Sequence, residues 1–426
     1  MDTLQETDYF SCHYKIATYF LLIPPENKML RIIYWIIAIP HLVLICLVGF
    51  LEAAKLLLGG SGDFSVDILT LGVVFLHWTG VNRVAKWPFH KKDFDAVLEQ
   101  VKKLNSDFSA FKISNVYTPL DHKTVLQEGV SKPHPLDIYR SSKLKETKKF
   151  CLRIYVGALV YLGLNLTITY TLNLLEPVYE IWSPQLNRTQ IFRDYPYPLW
   201  YPFDISISDG NYWIGFFYQP YAYFFLLGGF FCVDTLCLNI ILHLTRHVNI
   251  LEYSFKFVDK NVDFHFGFAK VMKLKEIRII KCIKELQAIY KCATDLNNII
   301  TMQMLFQQLC MVVIICCTVY RVTSVSVGNE LGYLLSVTVA VVTETFIISW
   351  FYQNFTLELL QLIGSINDLN WIDYPVNIQK MLLFTIRRLQ KPFYFTMGNW
   401  HPLNNDVCIT TIKTSYSFYT LLTQLK

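Results

Sequence analysis

The chain has 426 residues, of which 53% are hydrophobic and only 17% charged, and its mean hydropathy is +0.33. Soluble domains carry about 45–50% apolar and about 25% charged residues, so an ordinary cytosolic enzyme and a disordered chain are both excluded. The net charge of +5 would suit nucleic acid only if the bases clustered on a soluble module. Here they lie between apolar runs, and no nucleic-acid partner is expected.

In chain order, Met1–Asn27 lacks the charged-then-apolar design of a cleaved signal peptide. A bilayer-crossing helix needs about 20 mainly apolar residues. Six runs qualify, near Arg31–Leu58, Val66–Lys86, Phe150–Glu176, Tyr212–His243, Ile299–Val327 and Leu331–Phe355. A seventh, Val407–Lys426, is weaker because Thr and Ser punctuate it. The expected fold is an all-α membrane protein of seven transmembrane helices. Its expected segments are an N-terminal part over 1–30, four spans within 31–243 with a loop at 177–211, a helical region over 244–298, two spans within 299–357, a second helical region over 358–405 and a last span over 406–426.

Lys and Arg placement sets the expected orientation. Of the 38 basic residues, 29 fall in 1–31 and the loops 87–149, 244–298 and 358–405. The opposite loops hold only Arg188 and Arg193. The N-terminus is therefore expected in the cytosol and the C-terminus outside, in a multi-pass protein of the plasma membrane. Asn187-Arg188-Thr189 is a glycosylation sequon, and Asn187 would face outside. No Gly or Pro occurs from Phe268 to Val327, which predicts one helix running from the fifth span into the cytosol. The sixth span should continue through Ile366, and Ile378–Gln390 reads as an amphipathic helix stopped before Pro392.

Motifs for soluble catalysis are absent: the sequence has no Walker loop, GxGxxG, HExxH or GxSxG. The 11 cysteines form no CxxC pair and sit mostly in apolar runs, as small hydrophobes do. His243 and His247 are four apart but lack recognisable further ligands for a metal. No cofactor, metal or enzymatic activity is expected. Glu344 lies mid-span, where an unpaired charge costs about 2.5–3.5 kcal/mol. It reads as a pocket or coupling residue, or else as a hydrogen-bonded structural carboxylate. His77 and Trp78 in the second span are candidate ligand contacts. Aromatic density in the outer half of the bundle adds Phe75, Tyr161, Trp213, Phe216, Phe217, Tyr221 and Tyr333. Pockets for small organics are mainly apolar with few polar groups, so these residues between the second, third, fourth and sixth spans form a candidate ligand site. In the last span Thr410, Thr414, Ser417, Leu421 and Gln424 share one helical face. A mostly polar face suits a water-filled pore, or close packing against neighbouring helices.

The carboxy-terminal Leu389-Gln390-Lys391-Pro392 and Ile412-Lys413-Thr414-Ser415-Tyr416-Ser417-Phe418-Tyr419-Thr420-Leu421-Leu422 resemble the signature of insect odorant receptors. So do the proline-aromatic run Tyr195–Asp204, Asp234-Thr235 and Trp371. The related gustatory receptors usually carry Gln-Phe where this chain has Leu421-Leu422. The resemblance is to the tuning subunits. It implies a ligand-gated, weakly selective cation channel, a heterotetramer with the odorant co-receptor, opened by a small volatile organic molecule. It also implies that the last helix lines the pore, with Leu421 and Leu425 as hydrophobic gate and Gln424 as the polar residue at the narrowest point. The alternatives are a G-protein-coupled chemoreceptor or a gustatory-receptor-like channel. The first is opposed by the N-inside charge bias, by the lack of Asp-Arg-Tyr after the third span, and by a chain end that leaves no cytosolic tail.

Overall fold

The computed structural model describes residues 10–25, 27–58, 63–110, 135–175, 179–183, 188–192, 195–197, 199–203, 209–259, 268–325 and 329–424. Among these, the elements are α1 Ser11–Tyr19, α2 Lys28–Leu58, α3 Phe64–Ala110, α4 Pro135–Leu175, β1 Tyr179–Ser183, β2 Arg188–Phe192, α5 Asp209–Lys256, α6 Phe268–Val322, α7 Asn329–Asn367, α8 Val376–Leu389, β3 Thr396–Met397, β4 His401–Pro402 and α9 Asn405–Gln424. Helices α2 to α7 are each long and apolar enough to cross a membrane. The 20 residues of α9 reach about 30 Å, enough to span.

Among the described residues, the stretch 87–149 is helical. Helix α3 runs through Pro88 to Ala110, and α4 begins at Pro135. The cause lies in the residue spacing. Phe94, Val97, Leu98, Val101 and Leu104 recur at helical intervals and are all buried. They pack on α6, whose Ile279, Cys282, Leu286, Ile289, Ala293, Leu296 and Ile300 form the matching stripe. As expected from the run without Gly or Pro, α6 is one helix of 55 residues. The loop 177–211 carries the antiparallel β1–β2 hairpin, with Tyr179 opposite Phe192.

Helix α5 is the hub. It packs against α1, α2, α3, α4, α6 and α7, and 83% of its most apolar stretch is buried, against 22% for α4. A helix apolar all round belongs in a core, whereas a one-sided helix belongs at the edge. Short α1 lies on this hub. The Trp87 indole donates to Leu22 O at 2.8 Å and the Tyr34 hydroxyl donates to Leu21 O at 2.6 Å. Phe20 sits so close to Gly228 that a Cβ there would overlap its ring. His13 is buried against Asn239. Burial holds its imidazole down at about 4, so it is neutral at physiological pH.

At the end opposite the hairpin, Asp259 ties three segments together. It pairs with Lys275 at 2.7 Å, accepts from the Tyr374 hydroxyl, and accepts from the Asn370 amide at 3.2 Å. Burial opposes its ionisation, but the hydrogen bonds from Lys275 and Tyr374 and the Lys275 charge outweigh that and hold its carboxyl below the usual range. The entry to α9 is fixed by the β3–β4 clip. Asn297 of α6 accepts from the Thr396 amide at 2.7 Å, and Thr301 O accepts from the Gly398 amide at 3.1 Å. Gly398 has φ +59°, in the left-handed region that other residues enter at a cost. The Asn405 amide then donates to Gln353 of α7 at 2.7 Å.

Two outcomes follow. Gly398→Ala should cost about 1–2 kcal/mol through the left-handed backbone alone, with more from the Leu305 methyl that its Cβ would meet at 2.8 Å; thermal unfolding of the purified chain measures it. For His13 the folded pKa lies below the unfolded value, so the unfolded chain binds more protons between pH 6.5 and about 4. The stability that docked α1 contributes is complete above pH 6.5 and falls as pH drops through that window. Amide exchange of Ser11–Tyr19 at pH 7.5 and pH 5, corrected for intrinsic rates, should register lost protection in the wild type and a smaller loss in His13→Gln.

Candidate functional site

An open apolar cleft of about 530 Å³ runs along the seam between α4 and α5. Phe216, Phe217, Pro220, Tyr221, Phe224 and Phe225 line the α5 side, and Gly163, Leu166, Thr167 and Tyr170 line the α4 side. Both sets step by three and four, so each is one helical face. The gap has a local cause: a Cβ on Gly163 would meet nothing within 4 Å. Polar groups are few. Thr167 donates to its own helix at Gly163 O, 2.7 Å. Tyr170 donates from the back wall to Gln219 Oε1 at 3.1 Å, and Gln219 donates on to Tyr197 O at 2.9 Å. Such a lining suits a small, weakly polar organic molecule.

Of the ligand-site residues singled out from sequence, Phe216, Phe217 and Tyr221 meet in this cleft. Trp213 adjoins it, stacked on Phe217 at 5.8 Å. The others fall elsewhere. Tyr161 donates to Ser336 O of α7 at 3.4 Å. Phe75 packs against Cys310, Met311, Ile314 and Val341. His77 is sealed in a separate network: its Nδ1 lies 2.7 Å from Glu52 Oε1, which also accepts from Tyr223 at 2.8 Å. Its ring stacks on Tyr223 at 4.3 Å. Tyr197 covers the pair, held by the nearby Trp200 amide donating to Leu51 O at 3.1 Å. The cleft itself lies between the third and fourth spans. The Tyr333 side chain, Asn187 and Leu425 lie outside the described residues. Sequence reasoning passed over Tyr170, Phe224 and Phe225, although the stripe 217, 221, 224 was available at helical spacing.

Glu344 belongs to a polar node deep in the bundle. Arg83 of α3 pairs with Asp234 of α5 at 2.8 Å. It also donates to Gln303 and, at 2.7 Å, to Gln307 of α6. The Gln307 amide donates to Asp234 Oδ2 at 3.1 Å and to Glu344 Oε1 of α7 at 2.9 Å. Two acidic side chains, one cation and two amides thus join four helices. An arginine inside a span is a signal readable from sequence, and Arg83 falls within the second apolar run, Val66–Lys86.

Helix α9 has three faces. Val407, Cys408, Thr411 and Ser415 are buried against the bundle. Thr411 is hydrogen-bonded to Gln308, and the Ser415 hydroxyl donates to Val312 O at 3.0 Å. About a third of a turn away lies the polar stripe. Its Thr410, Ser417, Leu421 and Gln424 are exposed and Thr414 is half-buried. The third face carries Ile409, Ile412 and Tyr416, also exposed.

Breaking the node should be costly. Arg83→Met leaves buried Asp234 and half-buried Glu344 without a cation, and removal of one partner from a buried pair costs about 3–5 kcal/mol. Arg83→Met with Asp234→Leu should recover part of that loss. Unfolding temperatures of the three proteins in one detergent check it; equal stability of the single and double variants would contradict the pairing.

The chain matches the family model described as 7tm Odorant receptor over residues 138–416. It is similar to Odorant receptor 2a of Drosophila melanogaster, 22% identical over 240 residues, or 55% of this chain and 60% of that one. It is similar to Odorant receptor Or2 of Anopheles gambiae, 25% identical over 145 residues, or 33% of this chain and 38% of that one. The chain spans about half the length of the curated relatives it matches. Among solved structures, it shares the fold of the insect olfactory receptor OR5 from Machilis hrabei, with a TM-score of 0.72 and 11% identity over 98% of this chain and 100% of that one. With six apolar spans, a polar-striped last helix and a family match across two-thirds of its length, this multi-pass membrane protein belongs to the insect odorant receptor family.

Proposed function

We propose that the chain is the ligand-recognising subunit of an odorant-gated, non-selective cation channel. The observation that carries this reading is the polar stripe that α9 leaves exposed, in which Ser417 bonds back to its own helix at Lys413 O, 3.1 Å. Hydroxyls and amides have no partner in hydrocarbon, so a helix that buries one face on α6 and α7 needs water or other subunits for the other. A ring of such helices around an aqueous axis supplies both. Leu421 then forms an apolar constriction that blocks ions by expelling water, with Gln424 lining the passage. The partner subunits are copies of the odorant co-receptor, contacted through α9 and the amphipathic α8, whose Leu383 and Phe384 are exposed.

The ligand is a small volatile organic molecule held in the α4–α5 cleft. The Machilis hrabei receptor of similar fold has been solved in complex with eugenol. The cleft opens toward the lipid side, a route suited to apolar ligands. The basic end of the bundle lies in the cytosol and the hairpin end outside, a reading supported by the split of 29 basic residues against two. Asn187 is then an outside glycosylation site, in a receptor of the sensory-neuron plasma membrane.

The test is current from the chain assembled with its co-receptor. Leu421→Ser should raise ligand-independent current, because a wetted ring no longer excludes water. Gln424→Glu should shift relative cation permeability. Phe217→Ala and Tyr221→Ala should move half-maximal ligand concentrations by roughly tenfold, unequally among ligands, since each ring supplies up to about 1.5–3 kcal/mol of apolar burial. Wild-type leak and selectivity in the α9 variants would remove this helix from the pore. Uniform potency in the cleft variants would remove the cleft.

A further inference from the structure

Helix α4 presents one continuous exposed face along its length. From Val156 through Val160 and Leu164 to Ile168 that face is aliphatic, with exposures of 47–58%. Further toward the N-terminus the same face carries Arg153, Lys149 and Lys145, all exposed and four residues apart. The change from aliphatic to cationic falls between Val156 and Arg153, within one turn. A second observation marks the membrane boundary at that level. Phe150 is exposed and packs 6.2 Å from Phe351 of α7, next to exposed Trp350. Of these, Trp350 is the kind of amphipathic ring that collects where hydrocarbon meets headgroups. Lys143 is engaged by Glu146 at 3.3 Å. Among the described residues, no acidic side chain pairs with Lys145, Lys149 or Arg153.

We infer that this stripe is a docking surface for a polyphosphoinositide of the adjacent leaflet. Basic clusters just beyond a span attract anionic lipid, and the geometry selects among such lipids. At 1.5 Å per residue the three cations span about 12 Å along the helix axis. They are therefore stacked along the membrane normal rather than spread in its plane. A headgroup with a single charge reaches one depth only, beside Arg153. A headgroup with phosphates at several depths meets all three: its glycerol phosphate at Arg153 and its ring phosphates at Lys149 and Lys145. The same helix lines the ligand cleft through Gly163, Leu166, Thr167 and Tyr170, so a lipid that pins its basic end restrains one wall of that cleft. The assignment to the cytosolic leaflet rests on the orientation given under the proposed function.

The experiment uses the purified full chain in detergent and a fluorescent short-chain phosphatidylinositol 4,5-bisphosphate, read by anisotropy. Saturable binding is expected. Lys145→Gln/Lys149→Gln/Arg153→Gln should weaken it by tenfold or more, at about 1 kcal/mol per cation. A control triple of exposed α6 lysines, Lys270→Gln/Lys284→Gln/Lys291→Gln, should bind like wild type. Short-chain phosphatidylserine should displace the probe at least tenfold less effectively than the unlabelled phosphoinositide. If the first triple is not monodisperse, Lys149→Gln alone is used, with a threefold or greater loss expected. Equal affinity of wild type and stripe variants, equal loss in both triples, or equal displacement by phosphatidylserine would each overturn the assignment. Detergent removes sidedness, so a negative result refutes the lipid site without touching the channel reading. Tag accessibility in intact cells tests the orientation separately.

Discussion

A guanidinium inside an apolar bundle persists only where other side chains replace the water it has lost. Arg83 meets that demand with Asp234, Gln303 and Gln307, and Gln307 extends the set to Glu344. Each bond is directional, so α3, α5, α6 and α7 must hold one register and one rotation for the node to close. Apolar packing alone tolerates sliding and repacking. The node is where this bundle becomes specific.

The rest of the molecule sorts by its distance from that node. Helices α3, α5 and α6 are locked together, and their partners reach from the stripe Phe94–Leu104 through to the Glu52–His77–Tyr223 network near the hairpin end. Helix α4 takes no part in the node and has the smallest buried share of the six spans. The cleft opens along its seam with α5, where Gly163 leaves space unfilled. The least constrained wall thus borders the site best suited to an apolar ligand. A ligand can move a conformational equilibrium only through contacts that differ between states, and a seam with spare volume provides such a difference.

The last helix is held differently. One face of α9 packs on α6 and α7, and its start is fixed by the Asn297 and Thr301 bonds to the β3–β4 clip and by Gln353. The clip lies on the part of α6 that also carries Gln303 and Gln307. A rotation of α6 or α7 at the node therefore reaches the start of α9 within about three helical turns, through residues in direct contact rather than through a loop.

Much of this was legible in the sequence. Run length and the scarcity of charge gave the spans, because hydrocarbon admits only satisfied backbone and apolar side chains. The absence of Gly and Pro gave the full length of α6, and the spacing 410, 414, 417, 421, 424 gave a polar stripe that the structure leaves exposed. Composition, periodicity and breakers are local properties, and they determine local structure and membrane class. Which faces meet is a long-range property. His77 and Phe217 looked alike as candidate contacts, yet one is sealed against Glu52 and the other lines an open cleft. Glu344 read as a pocket residue or a hydrogen-bonded carboxylate, with no partner legible until α3, α5 and α6 brought Arg83, Asp234 and Gln307 to it. Its nearest described partner is 37 residues away and Arg83 far further. Only the tertiary structure decides such pairings, because the rotation of each helix about its axis is set by the summed packing of its neighbours and is written in no single segment.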